Sequence, residues 1–307
     1  MTDSLLAPLP YADWEPTKTT LHLWCQIVGK LKLRYTAHRN HWWNITLIPT
    51  ARGLSTLRMR DGDTAFEIEL DFIDHNVVLR ANRAHAPLGF RLDDGLSVAR
   101  FYEQILDLLR EIGIEPSIVA KPFGVPITTP FAQDGEHHSY DRTMARRWFD
   151  IVVWTANVFE EFAADFVGKE SPVQLFWHGF DLAMGRYSGR RASGPPKDDP
   201  VQQEAYSHEV IAFGFWPGDA NAPAPAFYTY TAPEPADLTS RPLRPEGAGW
   251  FPSGSAHLGA LPYDVVRAAA EPKATLLEFL RAGYEAGTQS ARWDVASFAS
   301  RFDRQGG

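Results

Sequence analysis

Four groups of residues in this chain carry side chains suited to chemistry. His208 and Glu209 stand together in YSHEV, an imidazole beside a carboxylate, the two side-chain types used most in proton transfer. They are the catalytic candidates. A zinc-peptidase signature needs a second His four residues on, along one helical face, and position 212 is Ala212. The competing reading is a buried hydrogen-bonded pair that fixes the chain. Arg186, Ser188, Gly189, Arg190 and Arg191 form the one basic, glycine-containing segment that follows a strand pattern. Guanidinium forks among small residues can hold a carboxylate or phosphate, so Arg186 and Arg190 are ligand-binding candidates. The same arginines can instead pair with the acidic strand at Glu67, Glu69 and Asp71. Asn40, His41 and Trp43, in NHWW, offer hydrogen bonds and stacking surface for a ligand. Their alternative is a tryptophan core pair with a capped turn. Asp71, Asp74 and His75 are metal-ligand types, but a turn at Asp74 leaves their geometry open, and no metal is assigned. No Gly-x-Ser-x-Gly elbow is present.

Composition sets the class. The chain has 307 residues, 44% of them hydrophobic and 13% aromatic, enough for a large core. Formal net charge is -8, and no block of Lys or Arg stands out, which argues against nucleic acid as a partner. A single cysteine, Cys25, excludes an intrachain disulfide and a thiolate metal cluster. It lies in an apolar helical pattern and reads as a buried hydrophobe. The start MTDSLLAPLP lacks the pattern of a signal peptide, and no apolar run reaches membrane-spanning length. The expectation is a soluble, cytoplasmic protein with no membrane association. A small anionic molecule is the expected partner. Cofactor and oligomeric state are unassigned.

The elements that must position these groups follow from periodicity. Residues 1–16 read as an N-terminal tether. Thr17 to Lys32 reads as a helix with a stripe at Leu21, Trp24, Ile27, Val28 and Leu31. Residues 41–50 read as a strand, and Leu54–Met59 as a second, with a hairpin signal at Asp61-Gly62. In FEIELDF, Phe66, Ile68, Leu70 and Phe72 share one face; Glu67, Glu69 and Asp71 share the other, expected to face solvent, with arginine partners or a metal as the alternatives. Ser97–Ile112 is a helix with a serine cap, stripe residues Val98, Phe101, Ile105, Leu108 and Leu109, and Gly113 as terminator. Residues 114–120 suggest a further strand. Residues 121–139 read as an irregular connection in which Phe123, Val125, Ile127 and Phe131 pack. Tyr140–Val167 is a long helix.

Residues 173–182 and 209–216 are apolar on both faces and read as core strands. His178 and Asp181 fall on opposite faces of the first. Residues 188–200 read as a loop, and residues 233–262 as an irregular excursion. Residues 262–270 and 272–293 are helical, and residues 300–307 a disordered tail. The fold class is α+β: mainly antiparallel sheet with packed helices, in two intimately associated halves, 17–120 and 140–299. Both halves run helix, strands, helix, so a diverged internal duplication stands as one account of them.

Taken together, the motifs TLHLW-Q-IVGK, NHWW, RGLS, FEIELDFIDH, SPV-FW with FDLA, Arg186 and SGR, YSHEV with GFWPG, and FYTY with PEP resemble an uncharacterised bacterial family, a domain of unknown function. The resemblance runs from about Trp14 to Trp293. It implies one shared design over nearly the whole chain, and carries no activity, cofactor or partner. The functional expectation from the residues is a small-molecule enzyme that binds an anionic ligand between the halves. The alternative is a non-catalytic ligand-binding or structural module.

Overall fold

The computed structural model describes residues 6–192 and 199–300. Part of the tether reading (1–5), part of the loop reading (193–198) and most of the tail reading (301–307) lie outside the described residues. The fold is α+β, with two antiparallel sheets and packed helices. The chain divides into two compact units. The first comprises residues 1–153, 174–182 and 217–223; the second comprises 154–173, 183–216 and 224–307. Among the described residues no helix is long and apolar enough to cross a membrane.

The first unit opens with α1, Tyr11–Tyr35, which begins six residues before the sequence pattern predicts. Its strands are β1 (Ile48–Pro49), β2 (Gly53–Ser55), β3 (Met59–Asp61), β4 (Thr64–Asp71), β5 (Asn76–Ala81) and β6 (Leu88–Arg91). They pair in the order β1-β2-β4-β5-β6, with β3 also on β4. The Asp61-Gly62 signal is a real hairpin: Asp61 pairs with Thr64, and Gly62 takes a left-handed φ of 53°. α2, Val98–Glu111, buries the five stripe residues expected of it, and the Ser97 hydroxyl accepts the Arg100 N–H. α3 spans Arg142–Ala163 and passes from the first unit into the second at Trp154. The Asp141 carboxylate caps it by accepting the N–H groups of Thr143 and Met144.

Three expectations fail in this unit. Residues 41–50 are not a strand. Asn40–Trp42 form a 3-10 turn, and only Ile48–Pro49 is extended and paired in the sheet. The cause is local: His41 and Trp42 adopt left-handed φ values of 57° and 61°, and Asn44 bonds back to the Arg39 N–H. Residues 114–120 hold no strand, and of the four side chains expected to pack in 121–139, Phe131 is buried while Phe123 is exposed. The acidic face of β4 is wet only at Glu67, which is half-exposed. Glu69 is buried and accepts from Thr50 and Arg80; Asp71 is buried and accepts from Arg52 and the N–H groups of Ile73 and Asp74. Burial raises the Asp71 carboxyl, but those donors together hold it below its usual value. Arginine partners, not solvent, stabilise that face. The partners are Arg52 and Arg80 of the same unit, so Arg186 and Arg190 are left for other roles.

α1 also differs from a surface helix with one apolar stripe. Lys18, His22, Gln26, Lys30 and Lys32 on its polar side are buried too. Each buried polar group needs a partner, and several are found. The Gln26 amide donates to the Phe123 carbonyl and accepts its N–H. The Lys32 amine donates to the Thr46 carbonyl. His22 stacks on Phe180 at 5.1 Å and places Nε2 3.1 Å from the His178 carbonyl oxygen. Burial, and then the Lys18 charge, pull His22 down to about 4. This has a sign. Below its ordinary value of 6.5 the unfolded chain binds a proton that the folded chain refuses, so stability is lost as pH falls from 6.5 toward 4. Urea unfolding is expected to show a loss of about 2 kcal/mol between pH 7 and pH 5 that His22→Asn removes. Equal pH slopes for the two proteins would refute the assignment.

The chain then continues through β7 (Lys169–Glu170), β8 (Gln174–Phe176) and β9 (Asp181–Arg191). Residues 173–182 are therefore not one strand. β8 is three residues long and lies in the first unit, where Leu175 bridges to Leu47; a turn ends at Phe180 with φ 60°. After α4 (Pro200–Ala205) come β10 (His208–Trp216), β11 (Ala226–Ala232), β12 (Gly249–Ser253) and β13 (Ala256–Pro262). The second unit's sheet runs β12-β13-β11-β10-β9-β7. The hairpin β12–β13 lies inside the stretch expected to be irregular. Its two-residue Gly254-Ser255 turn is a hairpin signal, outweighed in the sequence by the surrounding prolines, which an edge strand tolerates. α5 (Tyr263–Ala268), α6 (Pro272–Ala291) and α7 (Val295–Phe298) complete the chain. α6 comes so close to the sheet that a Cβ on Gly287 would stand 2.5 Å from the Thr231 hydroxyl, so the contact requires glycine.

Candidate functional site

Arg186 and Arg190 lie within β9, not in a loop after it, and both side chains face the helices of the second unit. Alternation places Glu209 and Ile211 of β10 on that helix-covered side and His208 on the opposite one.

Arg186 is the most constrained charge here. It is 2% exposed, and cross-strand register sets it opposite Glu170. Its Nε donates to Glu170 Oε2 at 2.9 Å, and Nη2 donates to the Phe162 carbonyl. The guanidinium carbon lies 3.7 Å from the Phe162 ring centre, 4.7 Å from Tyr284 and 4.9 Å from Phe166. Three electron-rich faces around one cation stabilise it beyond the ion pair. Burial pulls the guanidinium below its ordinary value and pushes the Glu170 carboxyl up, while each charge works against the other's shift. The guanidinium stays charged, as arginine does throughout proteins.

Beside this group lies a half-open cavity of 170 Å³. Phe162, Phe166, Tyr284, Val295 and Phe298 supply its apolar wall; Arg186, Arg281 and Asp165 supply its charges. Arg281 and Tyr284 sit three residues apart on α6 and so share a face. The segment after α6 closes one side: the Val167 N–H bonds to the Phe298 carbonyl and the Ser300 N–H to the Asp165 carbonyl.

Arg190 has a different task. Its Nε and Nη2 both donate to Glu209 Oε2, at 2.9 and 2.6 Å. The same oxygen accepts the Ser188 hydroxyl at 2.9 Å and the Trp293 indole N–H at 3.0 Å. Arg190 also donates to the carbonyls of Ala291 and Arg292, at the carboxyl end of α6. A cation there answers the unpaired carbonyls of a helix terminus. Gly189, between the two polar residues, has φ 80°, a conformation that favours glycine. Arg190 and Glu209 together latch α6 to the sheet.

His208 is half-buried. Its Nδ1 lies 3.0 Å from the Ser207 hydroxyl, and burial, then the charges of Lys169 and Arg191, lower it. Asn40, His41 and Trp43 belong to the first unit. His41 is buried, its ring 5.3 Å from that of Trp43. Of the seven residues singled out in the sequence, the structure joins Arg190 to Glu209 directly. It places Arg186 in a separate cluster and Asn40, His41 and Trp43 in the other unit.

Sequence reasoning did not reach Glu170, Asp165, Arg281 or the rings around Arg186. Phe162 and Phe166 stand four residues apart in one helical pattern of the sequence, and Tyr284 in another. No local signal says that these patterns meet over a strand arginine.

No curated protein and no solved structure matches this chain. A family of unknown function, DUF5996, matches residues 6–300, nearly the whole chain. Its span takes in both units and every residue of the Arg186 cavity, so the chain belongs to the DUF5996 family.

Proposed function

We propose that this protein is a non-catalytic binding module for a small organic carboxylate, and that the Arg186 cavity of the second unit is its pocket. The observation that carries the reading is the state of Arg186. Two of its five N–H groups are used, on Glu170 and the Phe162 carbonyl. The others have no hydrogen-bond partner among the described residues, and the residue lines the cavity while almost wholly buried. Donors held rigidly against aromatic rings are preorganised for a carboxylate. Arg281 adds a second cation at the rim. An engineered cavity of about 150 Å³ takes a benzene ring, so the volume here suits a ligand of similar bulk.

The acid–base pair that an enzyme would need is not favoured by this geometry. Glu209 serves α6, and strand alternation turns His208 away from it. Calorimetric titration with 4-methylpentanoate is expected to give saturable binding with a Kd of about 1 mM or below. Arg281→Ala should weaken it about tenfold, and Val295→Trp, at the exposed edge of the cavity, should abolish it. Absence of saturable binding, or binding indifferent to both substitutions, overturns the proposal.

A further inference from the structure

Three features of the first unit meet at Thr46, and the Arg186 pocket accounts for none of them. The Lys32 side chain, 5% exposed near the carboxyl end of α1, donates to the Thr46 carbonyl. Among the described residues no carboxylate pairs with it, and the charge that acts on it is another cation, the exposed Arg39. Gln174 of β8 is wholly buried. Its Oε1 accepts the Thr46 hydroxyl at 2.7 Å, while its Nε2 has no hydrogen-bond partner. The Thr46 hydroxyl also lies 3.3 Å from the Trp43 carbonyl, at the end of the turn where His41 and Trp42 hold left-handed backbone. Two successive non-glycine residues in that conformation store strain, which concentrates at functional sites. A buried cation without a counter-charge and a buried donor without an acceptor are both costly. One change removes both costs: converting the Lys32 ammonium into an anion whose oxygens accept from Gln174.

We infer that Lys32 is a carbamylation site, at which carbon dioxide adds reversibly to the amine and Gln174 holds the product. The lone pair of the neutral amine forms a bond to the carbon of CO2, one C–O π bond opens onto its oxygen, and the nitrogen releases one proton to solvent. Lysine amine and CO2 give lysine carbamate and a proton, with no further reactant. The step needs the free amine. Burial, and then the Arg39 charge, bring Lys32 down to about 8. About a tenth of it is then neutral at pH 7. The carbamate nitrogen keeps one hydrogen for the Thr46 carbonyl. Its oxygens lie about 2.3 Å from that nitrogen, and Gln174 is anchored on the same threonine. Arg39, which opposes the ammonium, favours the carbamate. No solvent reaches Gln174 Nε2, which favours an acceptor delivered on a neighbouring side chain over a dissolved anion.

The full chain, equilibrated with carbon-13-labelled CO2, tests this. Carbamates are trapped by alkylation with triethyloxonium, which leaves a stable label, and the labelled lysine is identified by peptide mass spectrometry. Lys32 is expected to carry the label, with an occupancy at fixed dissolved CO2 that rises with pH through about 8. Gln174→Glu keeps the size of the side chain but offers a carboxylate, which holds the ammonium and repels the carbamate. It should lower the occupancy at least about tenfold, the worth of a hydrogen bond to a charged group. Absence of label on Lys32 in the wild-type protein overturns the inference, and that result depends on no variant folding. Label that Gln174→Glu leaves unchanged shows that Gln174 does not hold the carbamate and overturns the site. Titration of the Arg186 cavity with 4-methylpentanoate reads the second unit and has no bearing on either result.

Discussion

Replacing Glu170 by alanine is expected to lower the unfolding free energy by about 3–5 kcal/mol, the range for a buried ion pair broken on one side. The magnitude comes from what is left behind. Arg186 is buried among Phe162, Phe166 and Tyr284, and it cannot shed its proton as a buried lysine can. Without Glu170 the groups left in direct contact with the guanidinium are the Phe162 carbonyl and the ring faces, none with a full negative charge, and the exposed Asp165 acts on it only through space. The double variant Glu170→Ala/Arg186→Met should recover most of the loss, because a methionine fills the aromatic cage without needing a counter-charge. Denaturant midpoints of the wild type and both variants decide this. A double variant no more stable than the single one would show that the cost lies in packing and not in the stranded charge.

The second large effect belongs to the first unit. Trp148→Ala should also cost about 3–5 kcal/mol. Trp148 is fully buried on α3. Its ring stacks on Phe180 at 4.7 Å and 14°, on Trp14 at 6.1 Å, and meets Phe72 edge-on at 5.7 Å. It thus joins a helix, a strand end and a turn that approach from distant parts of the chain. Truncation removes the transfer energy of an indole and leaves a cavity that three rings from three segments cannot close together. Trp148→Phe should retain much of the stability, because the offset-stacked contact with Phe180 survives. Unfolding measured by near-ultraviolet circular dichroism tests this. A loss below about 1 kcal/mol for the alanine variant would mean that the site collapses freely.

The two predictions mark different limits of what can be read from residues in order. Trp148 was legible as a core residue, because it stands with Met144, Ile151 and Val152 in the apolar stripe of a helix, and such stripes face inward. Which rings it meets was not legible, since Trp14, Phe72 and Phe180 lie at unrelated positions. Arg186 was legible as a possible anion contact. Its pairing with Glu170 depends on the cross-strand register of β7 and β9, and no residue in either strand announces that register. The acidic strand β4 shows the same limit. Alternation correctly separated Glu67, Glu69 and Asp71 from the apolar face, but whether that face met water or arginines was decided by Arg52 and Arg80.

His208 and Glu209 illustrate a further limit. Adjacent residues with suitable chemistry read as a pair, yet in a strand adjacency guarantees opposite faces. Once β10 formed, Glu209 met Arg190, Ser188 and Trp293, brought in from β9 and from the chain just after α6. A regular strand through residues 41–50 failed for the opposite reason. The turn at Asn40–Trp42 is set by short-range backbone bonding that β-rich composition conceals.

The sequence alone therefore determined the α+β class, the α2 helix with its serine cap and glycine stop, the Asp61-Gly62 hairpin, and family membership. These rest on interactions spanning a few residues, or on motifs that need no geometry. The tertiary structure decided which arginine met which carboxylate, that the polar side of α1 is buried, and that a cavity with charges of both signs lies over β9. Those outcomes depend on strand register and on helices crossing a sheet, where residues far apart in the chain come within hydrogen-bonding distance. Electrostatic and ring contacts act over a few ångströms of space and take no account of position in the chain.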